Sequence, residues 1–287
     1  MSAARTGPPA NLRHLVRLVD EVARSQGRPV RRVQRAVANT VVGQMLPPGV
    51  VKGGTAMKLR VGEAGSRFTP DLDAARPDAV PLDTWIDALA ERLAAGWHGF
   101  TGTVSANPPP RPDQVPDDYV MRPFDIRLAY RGRHWLTVPF ELGRDEVGST
   151  LVPELRMAAD IEALFASLGL PRPEPVALLA LDHQVAQKLH ACTSVDPRTG
   201  GNERAHDLVD LQILDQEEAI DLVATGATAR RLFASRRRQA WPPVVRAFAR
   251  WDTIYAEAAD GLGVLATVDE AVAWANALIA RIDRAGS

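Results

Sequence analysis

The sequence predicts an α+β protein, in which a lobe of mixed strands and helices is followed by a helical lobe. Short apolar runs of strand length lie between helical repeats up to about residue 150, and beyond it the apolar spacing is helical. The chain has 287 residues, enough for two lobes. We therefore expect one lobe over residues 1–150 and a second over residues 151–287.

The elements of the first lobe follow from periodicity and from the residues that break it. Pro47 and Pro48 end a helix, and Arg131-Gly132-Arg133 joins two strands in a hairpin. The predicted order is helix 11–24, helix 30–45, strand 50–51, helix 55–61, strand 68–75, helix 82–97, a proline-rich loop 107–118, and strands 121–130 and 134–142.

The second lobe is predicted to be helical because its apolar residues recur at spacings of three and four. The predicted helices are 159–168, 181–192, 204–214, 217–225, 228–233, 241–258 and 268–282.

Composition limits the classes of function. The net charge of −1 excludes a molecule-wide attraction to nucleic acid or membrane, so a polyanion site has to be a local patch. The single cysteine, Cys192, excludes an internal disulfide and fits a reducing compartment. The first residues lack the apolar core of a signal peptide, and no apolar run reaches the ~20 residues of a membrane helix. We expect a cytoplasmic protein without a membrane partner.

Lysine is scarce in this chain. Only Lys52, Lys58 and Lys188 are lysines among 34 basic residues. A site that needs a compact point charge has a reason to keep lysine where arginine is otherwise used. All three lie in stretches that carry the motifs described next.

Gly53, Gly54 and Thr55 follow a short apolar strand and open a helix. Glycines let the backbone approach a phosphate, and the amides of a helix start point at it. Thr55 can add a hydroxyl. This pattern indicates a phosphate cradle, although an ordinary tight turn has the same sequence.

Asp71 and Asp73 lie one residue apart on a predicted strand, so both project from the same face. Two adjacent carboxylates repel unless a cation lies between them, and oxygen ligands suit Mg²⁺ or Mn²⁺. The alternative is a solvated pair on an edge strand. Beside a phosphate cradle, the pair indicates a site for a nucleoside triphosphate.

A third carboxylate from a neighbouring strand is typical of phosphoryl-transfer sites with two metal ions. The predicted hairpin offers Glu141, near the end of its second strand, and Asp125 on its first strand. We favour Glu141 and keep Asp125 as the substitute. Either could instead face solvent.

The second lobe carries further candidate residues. Lys188 lies on an otherwise apolar helix, so it either reaches out to solvent or points into a cleft, where it would neutralise phosphate charge. Arg204, Asp207 and Asp210 follow one helical stripe; they form a surface ion pair, or Asp210 fixes Lys188 while Arg204 faces the substrate.

An arginine run precedes Trp241 in the second lobe. Arg236, Arg237 and Arg238 beside an aromatic residue suit a phosphate backbone and an unstacked base. The run therefore favours an RNA acceptor, although a solvated helix end would explain it as well.

Four blocks together resemble the AbiEii/AbiGii-type nucleotidyltransferase toxins, which include the MenT toxins. The similarity covers roughly residues 35–255. The blocks are KGGTAMKLR at 52–60, RFTPDLD at 67–73, AQKLHA at 186–191 and RAHDLVDL at 204–211.

The resemblance implies a DNA-polymerase-β-like nucleotidyltransferase core in residues 1–150 and a helical lobe that completes the active site. It implies Mg²⁺-dependent transfer of a nucleotide from an NTP to RNA, for MenT members the 3′ end of tRNA, which blocks translation, and a cognate antitoxin as partner. Carried over by position, the resemblance implies phosphate binding by Gly53, Gly54 and Thr55, metal binding by Asp71 and Asp73, and a catalytic site completed by Lys188 and by Asp210 or Asp207. From the residues themselves we add Glu141 as a metal ligand, Lys58 and Arg67 as nucleotide-binding residues, and Arg204 with Arg236, Arg237 and Arg238 as RNA-binding residues.

Two positions depart from the family pattern. Family members often carry a serine, which can be phosphorylated, where Thr69 stands, and an aspartate where Glu141 stands. The open alternatives are transfer to a small molecule or a protein side chain, or a silent relative that only binds a nucleotide or a partner.

Overall fold

The computed structural model describes residues 7–108, 121–196 and 198–286, so residues 109–118 of the predicted proline-rich loop lie outside the described residues. The chain divides into two compact units. The sheet unit comprises Met1–Ala64, Phe68–Asp145 and Thr150–Leu178, and the helical unit comprises Gly65–Arg67, Glu146–Ser149 and Leu179–Ser287. The sheet unit therefore continues beyond residue 150, where the sequence places the boundary.

The sheet unit alternates helices with short strands. Its elements are α1 (Leu12–Ser25), α2 (Val30–Gln44), β1 (Val50–Lys52), α3 (Gly53–Val61), β2 (Leu72–Arg76), α4 (Leu82–Ala95), β3 (Phe100–Ala106), β4 (Arg122–Tyr130), β5 (Arg133–Arg144), β6 (Glu154–Arg156), α5 (Ala159–Ser167) and β7 (Val176–Leu178).

The strands form one mixed sheet in the order β3-β4-β5-β2-β1-β7-β6. Strands β4 and β5 pair as an antiparallel hairpin, which turns at Arg131 and Gly132 with φ angles of 47° and 76°. Strand β2 pairs in parallel with β5 and antiparallel with β1. The α+β prediction is confirmed, and β2 lies at the centre of the sheet.

The helical unit contains α6 (Leu181–Thr193), α7 (His206–Glu217), α8 (Leu222–Arg236), α9 (Trp251–Ala259) and α10 (Val268–Ala285). Helices α8 and α10 begin at side-chain caps. The Asp221 side chain accepts hydrogen bonds from the backbone amides of Val223 and Ala224 at the start of α8, and Thr267 and Glu270 form a capping box at the start of α10.

Several predicted boundaries differ from the structure. Two short helices were predicted at 217–225 and 228–233. In the structure, α7 ends at Glu217 and a single helix, α8, runs from Leu222 to Arg236. Gly226 lies inside α8, where it packs against Ile282 and does not break the helix. The predicted helix 241–258 begins only at Trp251, since Pro242 and Pro243 cannot continue a helix. Strand β2 was predicted to begin at residue 68, but it begins at Leu72, two residues after Pro70. Strands β3, β6 and β7 were not predicted from the sequence.

Burial alternates along the hairpin and fixes its two faces. Phe124 and Ile126 of β4 are buried in the core, whereas Arg127 is exposed and Asp125 only partly buried. Strand β5 alternates in the same way, and its Glu141 is exposed. The carboxylates of the hairpin therefore lie on the face opposite the core.

Within the described residues, no helix combines the length and the apolar character that crossing a membrane requires.

The face assignment of β4 can be tested by two neighbouring substitutions. Ile126→Ala removes a fully buried side chain and is expected to lower the free energy of unfolding by about 2–5 kcal/mol. Arg127→Ala, on the exposed face, is expected to change it by less than about 0.5 kcal/mol. Urea unfolding measures both values, and equal losses would contradict the assignment.

Candidate functional site

The first turn of α3 is packed directly against the segment that carries the acidic pair. A Cβ atom on Gly53 would lie 2.0 Å from Oδ2 of Asp73, and one on Gly54 would lie 2.8 Å from Cβ of Thr69. The hydroxyl of Thr55 donates to the backbone carbonyl of Asp71 at 2.7 Å. Three consecutive residues of the helix therefore contact alternate residues of the acidic segment.

Gly53 is required at its position for two reasons. Its φ of +63° lies in the left-handed region, and the Asp73 carboxylate occupies the space that a side chain would fill. The carboxylate lies beside the first residue of α3, where the helix dipole favours negative charge. The glycines thus give room to an acidic side chain of the protein itself.

Thr55 has a different place from the one expected from the sequence. Its side chain is fully buried, and its only hydroxyl proton is donated to Asp71. The hydroxyl accepts a hydrogen bond from Nδ2 of Asn39 at 3.0 Å. Its hydroxyl therefore holds the acidic segment in place and is not directed at a phosphate.

The sheet register places Glu141 beside Asp73. Asp73 pairs with Glu141 across β2 and β5, and with Lys52 across β2 and β1. Paired residues on adjacent strands are about 5 Å apart and project from the same face. Asp125 lies on β4, one strand further from β2, where it pairs with Pro139 of β5. The register thus favours Glu141 over Asp125 as the third carboxylate, which remains a prediction.

Asp71, Asp73 and Glu141 offer only carboxylate oxygens as donor atoms for a divalent ion. In the described parts of the chain, no three His, Cys, Asp or Glu side chains lie close enough together to hold a metal ion. The backbone positions of Asp73 and Glu141 are adjacent, so their convergence needs only side-chain rotation. Together with Asp71 they are hard oxygen donors of the kind that Mg²⁺ prefers, so the chemistry of these side chains suits such an ion.

Lys58 is a structural cation rather than an accessible ligand group. Its side chain is 1% exposed, and its Nζ lies 2.7 Å from Glu63. Arg32 forms a second ion pair with the same carboxylate, and the Lys58 Nζ lies 6.0 Å from the ring centroid of Phe68. The expectation that Lys58 contacts a nucleotide has no support in this geometry, because the charge is already paired in the core.

In the helical unit, Lys188 is the centre of a buried ion-pair network. Its Nζ donates to Asp207 at 3.0 Å and to Asp210 at 2.6 Å. Nε and Nη2 of Arg67 contact Asp210 at 3.1 and 3.0 Å, and Nε of Arg204 contacts Asp207 at 2.7 Å. Lys188 is 6% exposed and both carboxylates are fully buried, so the lysine does not reach out to solvent.

The cations of this network keep the carboxyl groups of Asp207 and Asp210 ionised. Burial acts to raise the pKa of Asp207, but Lys188 and Arg204 hold it well below its usual range. Burial opposes ionisation of Asp210 as well, and Arg67 and Lys188 hold its pKa low. Burial lowers the pKa of His206 to about 4, so this imidazole is neutral at pH 7. Three cations thus face two ionised carboxylates.

The arginine run is divided between an internal network and the surface. Arg236 donates from Nε and Nη2 to Glu146 at 2.9 and 2.6 Å, and its Nη1 lies 3.1 Å from Nδ1 of His190. Burial and the Arg236 charge lower the pKa of His190 to about 3. Arg237 and Arg238 are exposed, so these two remain accessible as predicted RNA-binding residues, and Arg236 is committed to Glu146.

Sequence reasoning missed three residues that organise these groups. Asn39, Glu63 and Glu146 were not singled out, although each contacts a residue that was. Only Asn39 carries a signal, as an asparagine within the apolar run AVANTVV of α2.

A mixed sheet with an acidic pair against a glycine-opened helix, together with a helical unit, defines a nucleotidyltransferase fold. The family profile described as "Nucleotidyl transferase AbiEii toxin, Type IV TA system" matches residues 42–276, and the chain belongs to this family. The chain is similar in structure to MenT4, a nucleotidyltransferase toxin from Mycobacterium tuberculosis H37Rv. That likeness has a TM-score of 0.52 and 19% identity over 94% of this chain and 99% of the other, so it shows the fold alone. No curated protein matches the chain.

The close contact between Gly53 and Asp73 can be tested by comparing Gly53 with Gly132. Both glycines have a left-handed φ, but a Cβ atom on Gly132 would meet no neighbouring atom among the described residues. Gly53→Ala combines a left-handed φ with overlap on Asp73, whereas Gly132→Ala, at φ +76°, meets nothing within 4 Å. Gly132→Ala is expected to lower the free energy of unfolding by about 1–2 kcal/mol, and Gly53→Ala by clearly more. Urea unfolding measures both, and losses of equal size would show that Asp73 does not need this space.

The Lys188 network predicts a pH-dependent loss of stability. Lys188→Met leaves two buried carboxylates undercompensated and is expected to cost about 3–5 kcal/mol at pH 7. The pKa values of Asp207 and Asp210 are depressed in the folded protein, so their stabilisation exists above the unfolded pKa of about 4 and is lost as the pH falls further. In the variant these pKa values rise, so its deficit should shrink towards pH 4.

Urea unfolding of both proteins at pH 7 and near pH 4.5 measures this difference. The control is Arg250→Met, which breaks an exposed pair with Glu203 and is expected to cost less than about 1 kcal/mol at both pH values. A deficit of Lys188→Met that stays constant with pH would contradict the account.

Proposed function

We propose that this nucleotidyltransferase transfers a nucleotide from an NTP to an RNA acceptor in a Mg²⁺-dependent reaction. The proposed acceptor is the 3′ end of tRNA, and the consequence is a block of translation. The observation that carries the proposal is the docking of the acidic segment on α3, which fixes Asp71 and Asp73 beside the start of a helix. Membership of the AbiEii toxin family supports it.

The carboxylates of Asp71 and Asp73, with Glu141 from the adjacent strand, are the proposed metal ligands. A divalent ion held there supplies charge neutralisation at the phosphates. The acceptor hydroxyl oxygen forms a bond to the α-phosphorus and its proton passes to water. The bond from that phosphorus to the bridging oxygen breaks, and pyrophosphate leaves with the pair of electrons. The amides at the start of α3, at Gly53 and Gly54, are proposed to bind phosphate oxygens.

Arg67 and Lys188 are proposed to bind the triphosphate, and Asp210 is proposed to hold these two cations in place. They form one ion-pair network in the helical unit, with Arg67 17% exposed at its edge. Phosphate oxygens can replace a carboxylate as partners of Arg67, because a guanidinium binds both groups in the same bidentate geometry. Asp210 then remains the partner that keeps Lys188 in place.

An RNA acceptor is supported by accessible cations on the helical unit. Arg237 and Arg238 are exposed, and the side chain of Arg204 is 52% exposed at the edge of the Lys188 network. Trp241 is partly buried and donates from Nε1 to Asp283 at 2.9 Å. Arginines that bind a phosphate backbone beside an aromatic ring suit single-stranded RNA.

Family membership implies a cognate antitoxin as a partner. We propose that this partner restrains the transfer activity. Thr69 is 6% exposed and packs against Gly54, so a modification of its hydroxyl would require this contact to open.

Purified protein incubated with each labelled NTP, Mg²⁺ and total tRNA is expected to label RNA 3′ ends. Asp71→Asn and Asp73→Asn are each expected to reduce transfer at least about 100-fold, since even changes behind a metal ligand cost 10–100-fold. Sequencing of the RNA ends identifies the acceptor. Label transfer that survives Asp71→Asn would overturn the proposed site.

Two isosteric variants separate the candidates for the third carboxylate. Glu141→Gln is expected to reduce transfer, whereas Asp125→Asn, one strand further away, is expected to leave it within about twofold. The reverse result would assign the role to Asp125. Label on a small molecule or a protein instead of RNA would retain the enzyme and replace the acceptor, and the absence of any label with every NTP would indicate a relative that only binds.

A further inference from the structure

One face of α2 lies alongside the acidic segment. Arg31, Arg35 and Asn39 are four residues apart and so lie on one face of the helix. The Arg31 guanidinium lies 5.5 Å from the ring centroid of Phe68, and the charges of Arg35 and Asp71 interact. The Asn39 amide contacts Asp71 directly, so this face borders the segment from Phe68 to Asp71.

Asn39 and Thr55 close a buried triangle of hydrogen bonds on the backbone of Asp71. Asn39 Nδ2 donates to the Asp71 carbonyl at 3.2 Å and to the Thr55 hydroxyl at 3.0 Å, and Thr55 donates to the same carbonyl at 2.7 Å. Asn39 is 1% exposed and Thr55 is fully buried. One carbonyl therefore receives two donors that belong to two different helices.

The hydrogen bonds to the Asp71 carbonyl lie just before the first paired residue of β2. Strand β2 and its register with β5 both begin at Leu72, the residue after Asp71. Asp73 is held by pairing on both sides, with Lys52 and Glu141. The backbone of Asp71 is held by the hydrogen bonds that its carbonyl accepts from Asn39 and Thr55.

Asn39 has a cost that packing alone does not explain. Its Oδ1 is buried without a hydrogen-bond partner among the described residues. A buried acceptor without a hydrogen bond lowers the free energy of unfolding, so an apolar residue of similar size would stabilise the core at least as well as Asn39 does. An asparagine that donates two bonds to the acidic segment is better explained by what it positions.

We propose that Asn39 is a positioning residue of the transfer site, which acts through Thr55 and the Asp71 carbonyl to hold the Asp71 carboxylate in line for a divalent cation. This rests on the proposed function in one respect, the role of Asp71 as a metal ligand. Asn39 lies outside residues 42–276, the segment that the family profile matches, so family membership assigns it no role. Residues behind a ligand orient it and typically set metal affinity by 10–100-fold.

The test measures metal binding rather than activity. Mn²⁺ is titrated into the full chain with a non-hydrolysable NTP analogue, and free Mn²⁺ is followed by electron paramagnetic resonance. Asn39→Leu and Thr55→Val are expected to weaken Mn²⁺ binding about tenfold or more. Thr55→Ser keeps the hydroxyl and is expected to bind as the wild type does.

The matched control is the neighbouring residue of α2. Thr40 is fully buried, and its hydroxyl donates within its own helix to Ala36 at 2.8 Å. Thr40→Val therefore removes a buried polar group without touching Asp71, and it is expected to leave Mn²⁺ binding unchanged. Thermal unfolding of every variant is recorded alongside, and Asn39→Leu is expected to lose no more stability than Thr40→Val.

The outcomes separate this proposal from the proposed function. Wild-type binding that Asp71→Asn abolishes, together with unchanged binding by Asn39→Leu, would overturn the positioning role alone. Equal weakening by Asn39→Leu and Thr40→Val would overturn it as well, because the effect would then be one of packing. Wild-type protein that binds no Mn²⁺ would overturn the metal site and this role with it. If Asn39→Leu does not fold, the comparison of Thr55→Val with Thr55→Ser decides.

Discussion

The contact between the first turn of α3 and the acidic segment is the constraint on which the sheet unit depends. Gly53 gives room to the Asp73 carboxylate, and Thr55 holds the carbonyl of Asp71. Two carboxylates so close together are costly unless their surroundings compensate the charge. The helix dipole at α3 supplies part of this compensation. A divalent cation would complete it.

The helical unit meets the same electrostatic demand in a different way. Asp207 and Asp210 are fully buried, and their charges are balanced by Lys188, Arg67 and Arg204 within hydrogen-bond distance. Such a network is worth little as net stability but is costly to break, because each remaining charge would be buried without compensation. It therefore specifies one arrangement of these side chains, which is the property that a binding site for a charged substrate requires.

The sequence made the acidic pair and the glycine-opened helix visible because their residues are close together in the chain. The sequence could not reveal the contacts between the acidic pair and the helix, because these depend on Asn39 of α2 and on the register of β2 with β5. Thr55 and Lys58 were read as ligand groups, yet their partners Asn39 and Glu63 are core residues. Arg236 finds Glu146 at a separation of 90 residues, which no local pattern encodes. Strands β6 and β7 have three residues each, too few for a periodic signal.

The most direct test is a crystal of the full chain grown with Mn²⁺ and a non-hydrolysable NTP analogue, examined by anomalous scattering. An anomalous peak is expected within about 2.0–2.3 Å of carboxylate oxygens of both Asp71 and Asp73. The Asp71 carbonyl is expected to remain bonded to Thr55 in that crystal. A nucleotide bound without a peak between these two carboxylates, or with its only metal elsewhere, would contradict the account.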